Sequence, residues 1–153
     1  MKDNEFFMRQ ALAEAQKSFK KEEVPVGAVL VFEKEIVSRG HNEPITKNDP
    51  TAHAEMIAMR KASSKRKNYR LSDCDLYVTL EPCAMCLGAA VHARIRKLVF
   101  GAIDPKSGAV ESVMKLPLEK MNHRVQVVGG VLADECSQIL KDFFRKKRKS
   151  KRE

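Results

Sequence analysis

The residues of this sequence whose types and spacing could do chemistry are His53 and Glu55 in TAHAEMIA, and Cys83 and Cys86 in PCAMC. The two cysteines stand three apart where a helix is expected to begin, so their sulfurs fall on one side of its first turn. Free amide N–H groups and the helix dipole at that end favour thiolates. A thiolate pair at this spacing suits zinc and equally suits a thioredoxin-like redox pair, and the C-x-x-C motif alone leaves both open. His53 tips the balance towards zinc, because a neutral imidazole is the natural third ligand to two thiolates and His53 also stands at an expected helix start. Such a set neutralises Zn2+ and leaves a fourth position for water, the arrangement of a catalytic site, where the water's pKa falls to about 7. A closed structural site would need a fourth ligand from Cys74, Cys136, His41, His92 or His123, none of which has metal-ligand spacing to the close pair.

Glu55 cannot share a helical face with His53, since neighbours on one face come three and four apart. It need not ligate zinc; its expected task is to reach the metal-bound water and the substrate. A carboxylate beside the open position can take a proton from water and pass it to a ring nitrogen and then to a leaving amine. The plainer alternative is a solvated glutamate on a helix.

These residues need elements that bring them together. Phe7, Met8, Ala11, Leu12, Ala15 and Phe19 form one apolar stripe on a first helix capped by Asp3 or Asn4. VPVGAVLVF is uniformly apolar and predicts a strand covered on both faces, followed by a second strand over Ile36 to Gly40. HNEPITKNDPTAH, with its two prolines, predicts a surface loop; a helix from Asp49 or Thr51 then runs towards Lys61. A strand over Asp75 to Leu80, a helix from about Cys83 to His92 and the strand KLVFGA make a βαβ unit with parallel strands. The polar stretch from Asp104 to Arg124 is expected to hold one short helix near Ser112. VQVVGG adds a fifth strand, and Leu132, Cys136, Ile139, Leu140, Phe143 and Phe144 mark a last amphipathic helix. The expectation is an α/β protein in three layers, a mixed sheet of about five strands with helices on both faces. In such sheets ligands gather beyond the carboxyl ends of the strands, and TLEPC lies at one of these junctions.

The formal net charge of +9 across 153 residues points to a polyanionic partner. RKKRKSKR, from Arg145 to Arg152, concentrates it at the end of the chain; such a block is either a solvated tail or a set of phosphate contacts. No apolar run approaches the length of a membrane span, and the N-terminal segment lacks the pattern of a signal peptide, so a cytoplasmic protein with no membrane partner is expected. Four cysteines in such a chain serve metal binding or catalysis better than disulfides, with Cys74 and Cys136 as small buried apolar residues.

H-x-E…P-C-x-x-C is the signature of zinc nucleobase deaminases. Beyond it, EVPVGAVLV, GHNEP, DPTAHAE, NYRL, LYVTLEPCAMC, VFGAIDPKSGA, MNHRV, GVLADEC and DFFR together resemble the bacterial tRNA-specific adenosine deaminases over nearly the whole chain. That resemblance implies the three-layer α/β/α deaminase fold, a homodimer with one Zn2+ per subunit, and conversion of adenosine to inosine at the wobble position of a tRNA anticodon. It implies His53, Cys83 and Cys86 as metal ligands and Glu55 as the proton carrier, within a deaminase domain over 1–144 followed by a basic tail over 145–153. Asn42 in GHNEP resembles the family's purine-pocket asparagine, the Ala54 amide would help orient the hydrated base, and Val26 would line the pocket. DPKSG and DFFR resemble segments that meet the anticodon stem-loop. Asp104 would then accept from a ribose hydroxyl, Lys106 and Arg145 would meet phosphates, and Phe144 would offer a stacking surface unless its helical spacing places it in the core. The chain departs from the family's pattern at Glu111, where a small residue is usual, and in the shorter MKLPLEKMNHR with Pro117, both in the segment expected to border the RNA. A deaminase of free guanine or cytosine, and a zinc-stabilised RNA-binding module without catalysis, are the competing readings.

Overall fold

The computed structural model describes residues 2–152. Five strands, β1 (Gly27–Phe32), β2 (Glu35–His41), β3 (Cys74–Leu80), β4 (Lys97–Ala102) and β5 (Gln126–Val128), form one sheet in the order β2-β1-β3-β4-β5. β1 is antiparallel to both β2 and β3, whereas β3, β4 and β5 run parallel. The expected mixed sheet is thus present, and the parallel β3–β4 pair is joined through α4 (Ala84–His92) as a βαβ unit. β1 and β2 close through a two-residue turn in which Glu33 and Lys34 have φ of 49° and 65°, the twist that suits a tight hairpin.

One face of the sheet carries α1 (Lys2–Lys20) and α5 (Ala133–Arg152); the other carries α3 (Ala54–Arg66) and α4. Side chains alternate along each strand, so β1 sends Val29 and Val31 to the first face, against Phe7, Met8 and Ala11. It sends Ala28 and Leu30 to the second, against Ala54, Ala58 and Leu87. Both faces are therefore dry, which explains the unbroken apolar run in β1. Leu30, Leu76 and Leu98 are fully buried, each contributing about 1.5–3 kcal/mol. Cys74 and Cys136 are also fully buried.

Two contacts draw α3 close to β2. Ser38 Oγ donates to the Ala58 carbonyl at 2.7 Å. Gly40 faces the helix so tightly that a Cβ there would lie 2.5 Å from the Ala54 carbonyl oxygen. Glycine at position 40 thus lets the α3 backbone sit directly on the strand.

The structure differs from the sequence reading in five places. α1 begins at Lys2, so Asp3 and Asn4 lie in its first turn and neither precedes it as a cap; Asn4 Oδ1 accepts from the Tyr77 hydroxyl at 2.8 Å. HNEPITKNDPTAH contains a one-turn helix, α2 (Pro44–Lys47), with proline at its start. The buried carboxylate of Glu23 accepts from the Ile45 and Thr46 amides at 3.3 and 2.7 Å, a partner supplied from outside the segment. α3 begins at Ala54 with His53 as its N-cap, because Asp49 spends its carboxylate on the Thr51 amide and hydroxyl, at 2.8 and 2.7 Å. Near Ser112 there are turns and no helix; a 3₁₀ turn follows at Leu118–Lys120. α5 continues through the basic block to Arg152. Among the described residues, no helix is long and apolar enough to cross a membrane.

Candidate active site

One edge of the sheet collects every residue that the sequence marked for chemistry. β2 and β3 both run antiparallel to β1, so their carboxyl ends share an edge with the start of β1. Asn42 follows β2, Val26 precedes β1, Cys83 follows β3 and Asp104 follows β4. α3 and α4 begin at the same edge, with His53 and Cys83 as their N-caps.

Neither N-cap side chain is assigned to a capping hydrogen bond, and both meet at the centre between the two helices. His53 Nδ1 lies 3.6 Å from Cys83 Sγ and 3.5 Å from Cys86 Sγ. The donor atoms of His53, Cys83 and Cys86 all fall within 4.8 Å of one another, and this is the one such metal-capable group among the described residues. Nitrogen and sulfur donors at about 2.0 and 2.3 Å from a tetrahedral ion stand about 3.5 Å apart, so the three residues fit the corners of a zinc-type site.

The other candidates for a fourth ligand are engaged elsewhere. Arg66 donates to Cys74 Sγ at 2.7 Å, His123 Nε2 meets the Ile95 carbonyl at 2.7 Å, and His41 Nε2 meets Glu43 at 2.6 Å. Cys136 packs against Gly101 on the far face of the sheet, and His92 ends α4, away from its N-terminus.

Protonation follows from this crowding. The Cys83 thiol is pulled down to about 4 by a hydrogen bond from Cys86 and, secondarily, by the His53 imidazole. Cys86 is correspondingly raised, because it holds the proton that Cys83 gives up and is itself buried. The Cys83 contact raises His53. Glu55 is 4% exposed, and burial raises its carboxyl to about 7. A buried carboxyl that holds or releases a proton near neutrality has the property a proton carrier needs. It is not a solvated helix glutamate.

Val26, Asn42, His53, Glu55, Cys83 and Asp104 line a cleft of about 190 Å³. Val26 is 7% exposed, and Asn42 is held through its backbone, its N–H donating to Val26 at 3.0 Å and its carbonyl accepting from Ser18 Oγ at 2.9 Å. That leaves the Asn42 amide side chain available to the cleft. Ala54 is fully buried at the first position of α3, where an amide N–H has no intrahelical acceptor. Asp104 Oδ1 accepts from the Lys106 and Ser107 amides at 3.0 and 3.3 Å, so its carboxylate is already part of its own turn.

A wider groove of about 650 Å³ shares Asp104 and Ser107 with the cleft and runs past Lys106, Phe144, Arg145 and Arg148. Phe144 is 40% exposed with the Lys106 ammonium 5.7 Å from its ring centroid, while Phe143, at 4%, is the one in the core. The core alternative for Phe144 therefore does not hold. Arg145 is exposed and stands 3.8 Å from Asp142. Glu111 is exposed on a different groove, beside Asp134 and Ser137, and Pro117 is exposed before the 3₁₀ turn. Neither of these two departures from the family pattern lines the cleft.

Val24, Leu80, Glu81 and Ser107 also line the cleft and were missed as site residues in the sequence. Glu81 carried a signal, a lone acidic residue at the end of an apolar strand and two residues before Cys83. It is 2% exposed. Burial acts to raise its carboxyl, but hydrogen bonds from Ser112 and from the amides of Glu111, Asp104 and Ser112 outweigh burial and hold it at about 2.

Comparisons with known proteins agree with this geometry. Residues 2–148 match the family model of the MafB19-like deaminases. The chain is 51% identical to a tRNA-specific adenosine deaminase of Haemophilus influenzae, over 97% of this chain and 87% of the relative. It is 47% identical to the Bacillus subtilis protein of the same name, over 99% and 95% of the two chains. A solved structure from biochemical and structural studies of A-to-I editing by tRNA:A34 deaminases at the wobble position of transfer RNA superposes with a TM-score of 0.85 at 44% identity. That match covers 88% of this chain and 99% of the solved one. By its family match, its near-full-length relatives and its sheet-edge site alike, the chain belongs to the tRNA-specific adenosine deaminases, within the MafB19-like deaminase family.

Proposed function

We propose that this chain hydrolyses adenosine to inosine at the wobble position of a tRNA anticodon, using one Zn2+ per subunit held by His53, Cys83 and Cys86. The observation that carries the reading is the buried Glu55 carboxyl in the same small cleft as the three-donor cluster, opening towards a groove lined with Lys106, Arg145 and Arg148. A zinc ion there supplies Lewis acidity that makes water nucleophilic near neutral pH. Glu55 takes the proton of the attacking water and delivers it to ring N1 as oxygen bonds to adenine C6. It then takes the proton of the new C6 hydroxyl and passes it to the exocyclic nitrogen, the C6–N bond breaks as the C6 carbonyl forms, and ammonia and inosine leave.

The cleft has room for one flipped base, so the target adenine enters alone. Asn42 hydrogen-bonds the purine or its ribose, Val26 packs on the ring, and the Ala54 amide orients the hydrated carbon. Asp104 accepts from a ribose hydroxyl, Lys106 and Arg145 meet phosphates, and Phe144 stacks on a neighbouring base. Residues 1–144 are the deaminase domain and 145–153 the basic tail that adds phosphate contacts. The working form is a cytoplasmic homodimer, for which the exposed Val113 and Met114 offer apolar surface; sedimentation at working concentration tests it.

Purified protein incubated with a wobble-adenosine anticodon stem-loop, free guanine and cytidine, with metal analysis of the same sample, decides the function. Inosine in the stem-loop with about one zinc per chain is expected; turnover of only the free compounds refutes it. Glu55→Gln separates catalysis from a binding module, because a module binds RNA alike in both forms and neither makes inosine.

A further inference from the structure

We infer that Glu81 is a positioning residue, whose carboxylate fixes the substrate-facing loop Asp104–Ser112 relative to the metal ligand Cys83 and thereby sets the affinity for RNA. The inference rests on the reading of Asp104 and Lys106 as RNA contacts. Glu81 itself acts through them.

The loop has turns but neither helix nor strand, so its shape depends on where its amides find acceptors. Glu81 supplies half of them, four of the eight, and Asp104 and Pro82 supply the rest. Its Oε1 accepts from the Asp104 amide at 3.0 Å and from the Ser112 hydroxyl. Its Oε2 accepts from the amides of Val110, Glu111 and Ser112 at 3.1, 2.9 and 3.1 Å. Every one of these donors belongs to the loop. A buried carboxylate is tolerated only when its lone pairs are filled in this way, so the loop and the carboxylate hold each other.

The anchor is short on the catalytic side. Only Pro82 separates Glu81 from Cys83, and the Pro82 carbonyl accepts from the Ala109 amide at 2.9 Å. Asp104, pinned through its amide, then orients Lys106 and Ser107 through its own carboxylate. Gly108 completes the fit from the loop side. A Cβ there would lie 2.3 Å from Glu81 Cδ and 2.5 Å from each carboxylate oxygen, so any larger residue must push the two apart.

The test uses the full chain loaded with zinc. Glu81→Gln keeps the size but turns an NH2 towards N–H donors. Gly108→Ala disturbs the same contact from the other side, and Ser112→Ala removes one donor with little risk to folding. For Glu81→Gln and Gly108→Ala we expect KM for the wobble-adenosine stem-loop to rise about tenfold with kcat within about twofold, the mark of lost uniform binding. Zinc content stays at the wild-type value, and amide exchange over residues 104–112 speeds at least tenfold. Ser112→Ala shows the same pattern more weakly. The double variant Glu81→Gln/Gly108→Ala is no worse than the worse single one, because both break one contact. Wild-type exchange rates in Glu81→Gln overturn the inference, as does a loss of zinc or a fall in kcat that outweighs the change in KM. If wild type itself leaves the stem-loop unchanged, the proposed function fails, and the exchange measurement still decides whether Glu81 positions the loop.

Discussion

Replacing Gly40 by alanine tests whether the contact between β2 and α3 sets the catalytic centre. The added Cβ would lie 2.5 Å from the Ala54 carbonyl oxygen, 2.8 Å from the Ala58 nitrogen and 3.2 Å from Ile57 Cβ. Favourable heavy-atom contacts lie near 3.5–4.0 Å, so α3 must retreat by roughly 1 Å. Two of the three obstructing atoms are backbone, which cannot swing aside as a flexible side chain would. Overpacking of this kind costs about 1–3 kcal/mol, and stretching the 2.7 Å Ser38–Ala58 hydrogen bond adds about 1 kcal/mol. For a chain of this size the sum, about 2–4 kcal/mol, lowers Tm by roughly 4–16 °C.

The functional loss should exceed what unfolding explains at 25 °C, because Ala54 is the residue between His53 and Glu55. A displacement of about 1 Å at a reacting group can cost ~100-fold in rate. Differential scanning calorimetry, a zinc competition titration and single-turnover inosine formation read the three effects separately. A Tm within about 2 °C of wild type together with unchanged turnover would falsify the reasoning, since α3 would then have absorbed the methyl group without moving its N-terminus.

Other perturbations address the parts of the site singly. Glu55→Gln should retain zinc and stem-loop binding and lose about 10²- to 10⁴-fold in deamination, as expected for a proton carrier; single-turnover inosine yield measures it, and wild-type activity removes Glu55 from the mechanism. Cys83→Ala should bind well below one zinc per chain by metal analysis, because a three-donor cluster loses a thiolate at its more acidic position; full occupancy would mean that the metal has other ligands. Truncation after Phe144 removes the basic end of α5 and should weaken stem-loop binding and flatten its salt dependence, by about 0.7 in log–log slope for each lost single-strand phosphate contact. An unchanged slope on titration from low to physiological salt would make that end a solvated face.

The metal-capable donor set and the layering were legible in the sequence alone. Zinc-type spacing in PCAMC, the histidine and glutamate of TAHAEMIA, and the periodicity of the strands and long helices are local properties. They follow from side-chain type and from the repeat of a helix or strand, so they can be read without coordinates. The spacing of His53 and Glu55 was the puzzle that sequence could only half resolve. The structure resolves it, because His53 is a non-helical N-cap and Glu55 is already inside α3, so a helical face never related them. That boundary depends on Asp49 turning back to Thr51, a choice among several possible caps that local propensity left open.

Only the tertiary structure decided what depends on a distant partner. α2 is too short to announce itself and is held by Glu23 from beyond β1 and β2. The stretch from Asp104 to Ser112 carries no periodic pattern because its shape is dictated by Glu81, more than twenty residues earlier in the chain. Phe143 and Phe144 are adjacent and alike in sequence; one points into the core and the other stands beside Lys106, and the packing of α5 made that choice. The convergence of two N-caps on one metal-sized space likewise follows from strand order, since the carboxyl ends of β2 and β3 meet the start of β1 at a single edge. Side-chain chemistry is written residue by residue, whereas distance between residues exists only once the sheet has closed.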